Sequence, residues 1–357
     1  MQALVPMFRG ASHLEVTAAL RHFKPAKLDM DTVLMVEGDD DPSLVVVLEG
    51  ELEIRCGDVD IAAARKGDVV GEMALFSGER RMASVSTAQP SKLLTLDIDG
   101  YNALRAAGNT VVFTLELNVI GQLVHRLRHM WGLLVSLETA AVLLPRPPGP
   151  KKGFQRLASL WTDDPVAPPA AAVDLPDLLA SHPAFAGASE ASLVEIAAAF
   201  TCRGVLPKRI VVEAGVEDGT MAMLVEGKLA GFLPKGPVRA VALPTPEPGT
   251  LLDLPSMYDH KRSAATWKTA GEATLAFLER DAWRALIESP EEAGSTFRVA
   301  VIRALSARFR HATARVLELE KGRRDQLRGE LADFLGVDAE EMADSQFSHY
   351  GIGGHRT

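Results

Sequence analysis

The sequence predicts an α+β chain of two tandem β-roll units, jelly-roll-like, each with a helix before the roll and a long lid helix after it. Three observations predict this. The chain matches itself at a nearly constant offset, short β-branched runs punctuated by glycine recur in each copy, and each copy closes on a long amphipathic stretch.

The repeat comes first. Val33–Gly38 pairs with Ile210–Gly215, Leu48–Leu52 with Val225–Leu229, and Pro6–Ser12 with Pro183–Ser189, all at an offset of 177. Farther on the offset is 182. It pairs Asp99–Leu104 with Asp281–Leu286, Val119-Ile120 with Val301-Ile302, and Arg126–His129 with Arg308–His311. The second copy therefore holds five extra residues, expected in the Pro-rich segment Leu233–Gly249. Within the first copy, Ser12–Phe23 spaces its apolar residues helically. Thr32–Glu37, Ser43–Leu48, Leu52–Cys56 and Val59–Ala63 read as strands of a small roll or barrel. Thr110–Leu137 is the first lid helix, striped by Val112, Leu115, Val119, Leu123, Val124, Leu127 and Leu134, and Gly294–Lys321 is the second. Residues 1–140 form the first unit, 141–180 a Pro-rich linker, 181–322 the second unit and 323–357 a helical tail. Proline removes donors and fixes φ, so Leu144–Asp177 reads as extended, with a helical turn or two over Gly153–Trp161.

Composition narrows the partners. Of 357 residues 47% are hydrophobic and 24% charged, an ordinary globular balance. A net charge of −9 repels a phosphate backbone, so nucleic acid is not expected as a partner. Cys56 and Cys202 have no CxxC neighbour and fit a reducing compartment. Met1–Gly10 lacks a signal pattern, and the apolar run Met130–Leu144 is too short for a bilayer and contains Glu138. A cytoplasmic protein without a membrane segment is expected.

The chemistry sits in Gly71–Val85, which reads Gly-Glu-Met-Ala-Leu-Phe-Ser-Gly-Glu-Arg-Arg-Met-Ala-Ser-Val. This is a glycine-led turn into a short helix, then an arginine before a strand. A helix N-terminus offers free N–H groups to an anion, and Arg81 adds a charge-assisted bond to the same group. Glu72 is a poor phosphate ligand but a good acceptor from hydroxyls, so the pair suggests a sugar phosphate.

This stretch resembles the phosphate-binding cassette of the cyclic-nucleotide-binding domain family, that of the cAMP receptor protein and the cAMP-dependent kinase regulatory subunits. Roll and lid helix extend the resemblance over residues 1–137 and, less closely, 181–320. It implies that Glu72 takes the ribose and Arg81 the phosphate. Gly71, Met73 and Ala74 would lie around the backbone donors, with Met82 and Ala83 beside them. Met82 stands at a position the family relates to base choice, which leaves cAMP and cGMP both open as the ligand; no other cofactor is implied. In the second copy the same segment places Leu252 where Gly71 stands, Asp253 at Glu72, Pro255 at Ala74, Arg262 at Arg81 and Ser263 at Met82. Asp253, Arg262 and Ser263 are expected to form a degenerate second site, its unit packing against the first like half of a dimer.

Other features have plainer readings. Arg126, Arg128 and His129, with Arg308, Arg310 and His311, read as solvated faces or inter-helix pairs rather than nucleic-acid contacts. His125 and His129 stand at i, i+4 without a third ligand, so no metal site is expected. Ser-His-Asp, Walker and HExxH patterns are missing, so the chain is expected not to be an enzyme. The helix-turn-helix module of DNA-binding relatives is also missing. In the tail, Leu331–Asp338 and Phe347–Gly354 resemble the opening of an acyl-carrier domain, with Gly354 where a serine would bear the prosthetic group.

The expectation is a receptor for a cyclic nucleotide that signals to an unidentified protein partner through its lid helices. The competing readings are a scaffold whose rolls bind no nucleotide, and a DNA-binding regulator. The lid helices are expected to pair within one chain, Leu123, Leu127 and Leu134 facing Leu305, Phe309 and Leu317. The rival is a homodimer in which each pairs with its own copy.

Overall fold

The computed structural model describes residues 6–138, 142–143, 173–236 and 239–335. After a 3-10 turn at Pro6–Phe8, the first copy runs α1 (His13–Leu20), β1 (Lys24–Leu28), β2 (Val33–Met35), β3 (Ser43–Glu49), β4 (Glu51–Cys56) and β5 (Val59–Arg65). It continues with β6 (Val69–Val70), α2 (Glu72–Ser77), β7 (Ser84–Thr87), β8 (Ser91–Asp97), α3 (Ile98–Ala106) and α4 (Thr110–Leu137). Its strands form two antiparallel sheets, ordered β1-β8-β3-β6 and β2-β7-β4-β5. Val45, Val47 and Leu93 of one sheet and Leu52, Ile54 and Val85 of the other share one apolar core, so the sheets close on each other as a roll.

The second copy repeats this order. It runs α5 (Leu175–Ser181), a 3-10 turn at Pro183–Phe185, α6 (Glu190–Ala198), β10 (Thr201–Val205), β11 (Ile210–Val212), β12 (Thr220–Glu226), β13 (Leu229–Pro234) and β14 (Arg239–Leu243). Then come β15 (Leu251–Leu252), α7 (Leu254–Asp259), β16 (Thr266–Thr269), β17 (Ala273–Glu279), α8 (Arg280–Glu288) and α9 (Glu292–Leu335). Its sheets are β10-β17-β12-β15 and β11-β16-β13-β14-β9, where β9 (Val142–Leu143) follows α4 and pairs with Arg239 and Ala240. Matching bulges recur in the two rolls, between Val47 and Glu49 and between Leu224 and Glu226.

Local chemistry explains the boundaries. Ser12 caps α1 in a capping box: its hydroxyl accepts from Glu15 N (3.2 Å), and the Glu15 carboxylate accepts from Ser12 N (2.8 Å). The expected helix over Ser12–Phe23 stops at Leu20, and Pro25 disfavours helix at Lys24 just beyond it. Pro25 then sits in β1, a sheet-edge strand that the Lys-Pro-Ala-Lys sequence did not announce. The last expected strand, Val59–Ala63, extends to Arg65, and the first contracts to Val33–Met35. Helix α4 spans the expected residues, whereas α9 continues past Lys321 to Leu335 without a break. The first part of the tail is thus an extension of the lid helix. The expected turns at Gly153–Trp161 and the segment Phe347–Gly354 lie outside the described residues.

Helix α4 packs along α9 within one chain. Leu123, Leu127, Leu134, Leu305 and Phe309 are buried in this seam as expected, but Leu317 is only partly buried. Ala312 and Val316 continue the seam instead, since 305, 309, 312 and 316 follow a four-three-four spacing that keeps one helix face inward. Positions equivalent in the repeat meet at its N-terminal end: Arg298 Nε donates to Glu116 Oε2 at 2.6 Å, both side chains buried, and these residues are 182 apart. An equivalent pair in contact marks a pseudo-two-fold axis. In a true homodimer this position would face itself; a duplicated chain can carry opposite charges there.

Candidate functional site

The turn into α2 shapes the site. Gly71 adopts φ +84°, and a Cβ there would press on the Arg81 guanidinium and lie 2.7 Å from Ser43 O. Only glycine lets that guanidinium cross the turn. The first i→i−4 bond of α2 runs from Leu75 N to Gly71 O at 3.3 Å, so Glu72, Met73 and Ala74 present the helix's first amides.

Arg81 is buried, 4% exposed. Its Nη1 donates to Ser43 O (2.7 Å) and Gly71 O (3.1 Å), and its Nη2 to Asp41 Oδ2 (2.6 Å) and Ser43 Oγ (2.9 Å). Its Nε is buried without a partner. Glu72, 3% exposed, accepts from Arg126 Nη1 of the lid helix at 2.8 Å, and Arg126 Nη2 donates to Val69 O at 3.0 Å. The structure brings Gly71, Glu72, Met73, Ala74, Arg81, Met82 and Ala83 around one cavity of about 60 Å3. A second cavity, about 570 Å3, shares Ile61, Ala62, Arg126 and Phe309 with it. From sequence, Arg126 has a solvated or inter-helix role and Phe309 a place in the lid-helix seam, neither of them in the site. Both sit on lid helices, and only the packing of α4 and α9 brings them there.

The second copy requires a correction. Gly38 N bonds Arg81 O in the first roll, and Gly215 N bonds Ser263 O in the second. Ser263, not Arg262, therefore occupies the place of Arg81, and Arg262 is exposed. Asp253 caps α7 at φ 60°, matching Gly71, and Leu254 stands where Glu72 does. The extra residues all fall between β13 and β15, before the cassette, so the offset is 182 throughout it. The second cassette has thus lost glycine, carboxylate and arginine together. The buried Asp253 carboxylate accepts from the Ser256 and Ser263 hydroxyls, and burial pushes its pKa up to about 6. With serine in place of arginine, the turn has room for a side chain that glycine had to vacate.

The basic residues of the lid helices reach across to the opposite copy. Arg128 of α4 pairs with Asp259 of α7 (2.7 Å), and Arg310 of α9 pairs with Glu79 just after α2. Arg303 Nε donates to Phe76 O at 2.7 Å, and Tyr258 OH to Leu117 O at 2.7 Å. Each lid helix therefore braces the other copy's cassette helix. Among the described residues no group of three metal-ligating side chains occurs, and no helix is long and apolar enough to cross a membrane.

A glycine-led helix, a buried arginine and a buried carboxylate at one cavity, and a lid helix whose Arg126 bonds that carboxylate define the class: a β-roll with a candidate anion-binding turn. Residues 25–108 match the family model of the cyclic nucleotide-binding domain. The match lies within the first roll, whose order of elements the second copy repeats. A cyclic nucleotide-gated potassium channel of Rhizobium etli is 27% identical over 116 residues, 32% of each protein; the match thus spans about a third of that relative. Among solved structures, the regulatory domain of Toxoplasma gondii PKA with cAMP is 18% identical (80% of this chain, 88% of that one, TM-score 0.30). The Thermus thermophilus catabolite activator protein is 25% identical (36% and 69%, TM-score 0.29).

Proposed function

We propose that the first roll binds a purine cyclic mononucleotide, cAMP or cGMP, and that the chain is a cytoplasmic, non-catalytic receptor acting on a protein partner through its lid helices. The observation that carries this reading is the orphaned Nε of Arg81 at the cassette cavity. A buried donor without an acceptor costs about 1–3 kcal/mol, and a phosphate oxygen supplies the acceptor. The first amides of α2 point the same way. Glu72 then accepts from a ribose hydroxyl. The small cavity takes the anionic end and the adjoining larger one takes the base, against Phe309.

Binding changes partners rather than bonds. The phosphate competes with Asp41 for Arg81, and the ribose competes with Arg126 for Glu72. Loosening the Arg126–Glu72 pair releases α4 from the cassette. Movement of α2 then acts on α9 through Arg303 and Arg310. The change reaches both lid helices, the surface offered to a partner.

Calorimetric titration of the full chain with cAMP and cGMP tests this. One site per chain is expected, since the second cassette lacks all three binding groups; two equal sites would contradict it. Arg81→Ala removes a charged bond worth about 1.5–3 kcal/mol, so affinity should fall roughly ten- to hundredfold. No heat with either nucleotide would favour the scaffold reading, in which Asp41 and Arg126 hold the site shut.

A further inference from the structure

Arg308 takes in the second copy the place Arg126 has in the first. Its Nη2 donates to Leu251 O, as Arg126 Nη2 donates to Val69 O. Arg126 then finds Glu72, but Arg308 meets Leu254 at that position. Its Nη1 is closed off from solvent and has no partner. Ser306 Oγ and Arg310 Nη2 are also buried and unpartnered, and Ser306 is 1% exposed. Native proteins leave few such groups.

All three residues line one cavity of about 790 Å3 between the copies. Helix α9 lines it together with Trp131 of α4 and Trp267 and Leu243 of the second roll. The volume and the mainly apolar, aromatic wall with a few polar groups suit a small molecule. The charge on the wall is not balanced. Arg310 is taken by Glu79 and Arg315 by Glu138, while Arg303 and Arg308 form no ion pair among the described residues; the wall's remaining carboxylate is Glu247, and Arg308 feels the Asp253 carboxylate without a bond to it. Burial lowers the Arg308 pKa to about 10, which leaves it charged at neutral pH. Asp253, Leu254 and Ser263 do not line the cavity, which borders the second cassette through Arg308, bonded to Leu251 O and within the field of Asp253.

We propose that this inter-copy cavity binds a small organic anion with an aromatic or aliphatic body, its acidic group on Arg308 and its body against the tryptophan-lined wall. The site does not depend on nucleotide binding by the first roll.

The test uses the full chain and two fluorescent probes. 8-Anilino-1-naphthalenesulfonate carries an anionic group; N-phenyl-1-naphthylamine has the same rings without it. One saturable sulfonate site per chain is expected, with the neutral probe at least about tenfold weaker. Arg308→Met should weaken the sulfonate about tenfold or more and leave the neutral probe unchanged. Ala307→Trp, at an exposed position of α9 that lines the cavity, should abolish both, and it decides the matter if Arg308→Met does not fold. Equal binding of the two probes, sulfonate binding unaffected by either substitution, or its displacement by cAMP in an Arg81→Ala background would overturn the proposal. The last result would mark the cavity as a second nucleotide site.

Discussion

Gly71 and Asp253 occupy one position of the repeat and show how far a single side chain can set the chemistry around it. In the first copy the turn belongs to the Arg81 guanidinium. Gly71→Ala would meet both that group and a φ that disfavours any Cβ, so its nucleotide affinity should fall about as far as in Arg81→Ala. Affinity within twofold of the parent, by calorimetry, would show that the turn can shift. In the second copy Asp253 gives a pH signature. Its folded pKa of about 6 lies above the roughly 3.9 of an unfolded aspartate. Between these values the native state keeps a proton that the unfolded chain has lost, so this residue's contribution to stability falls as pH rises and is level above the window. Asp253→Asn tolerates the left-handed φ and does not titrate. The melting temperature of the parent minus that of Asp253→Asn should therefore fall between about pH 4 and 6 and stay constant above 7. A difference independent of pH would refute the assignment.

Single residues also tie one element to the next. Glu15 closes the capping box of α1 and accepts from the Thr110 hydroxyl and amide at the start of α4. The Ser12 hydroxyl first, then the Thr110 hydroxyl and the Ser12 amide, donate to its carboxylate and hold its pKa down at about 2. The second copy makes the same connection with other atoms, Ser189 Oγ donating to Glu292 at the start of α9. Ser12→Ala and Glu15→Ala should each cost about 1 kcal/mol in urea unfolding. The double variant should cost less than the sum, because each breaks the same box. Full additivity would mean that the two side chains act apart.

Across the whole molecule, the seam between α4 and α9 makes a dimer-like interface inside one chain. Leu127→Asp places a charge in that seam and should lower the melting temperature equally over a wide range of protein concentration. A concentration-dependent drop would point to pairing between chains. The Glu116–Arg298 pair at the pseudo-two-fold axis is fully buried, and breaking it strands a charge. Glu116→Leu and Arg298→Leu should each cost about 3–5 kcal/mol, and the double variant much less. A double variant as damaged as the sum would show that Arg298 depends on its other acceptors, Ile287 O and Ser289 O.

The sequence alone determined the duplication, the two rolls, the first cassette and the long lid helices, because these follow from local pattern: strand alternation, glycine-led turns and helical stripes repeat along the chain whatever their surroundings. It misread the second cassette by one residue, since the segment from Leu252 to Thr266 has too little in common with its counterpart to anchor a register. The backbone bond from Gly215 to Ser263 decided that register. Only the tertiary structure showed that Arg126 and Phe309 line the first cavity, that Asp41 holds Arg81, and that Arg308 forms no ion pair among the described residues. Each depends on residues tens to hundreds of positions apart meeting in a desolvated place, where an unpaired charge is costly. Spacing along the chain carries no record of such meetings.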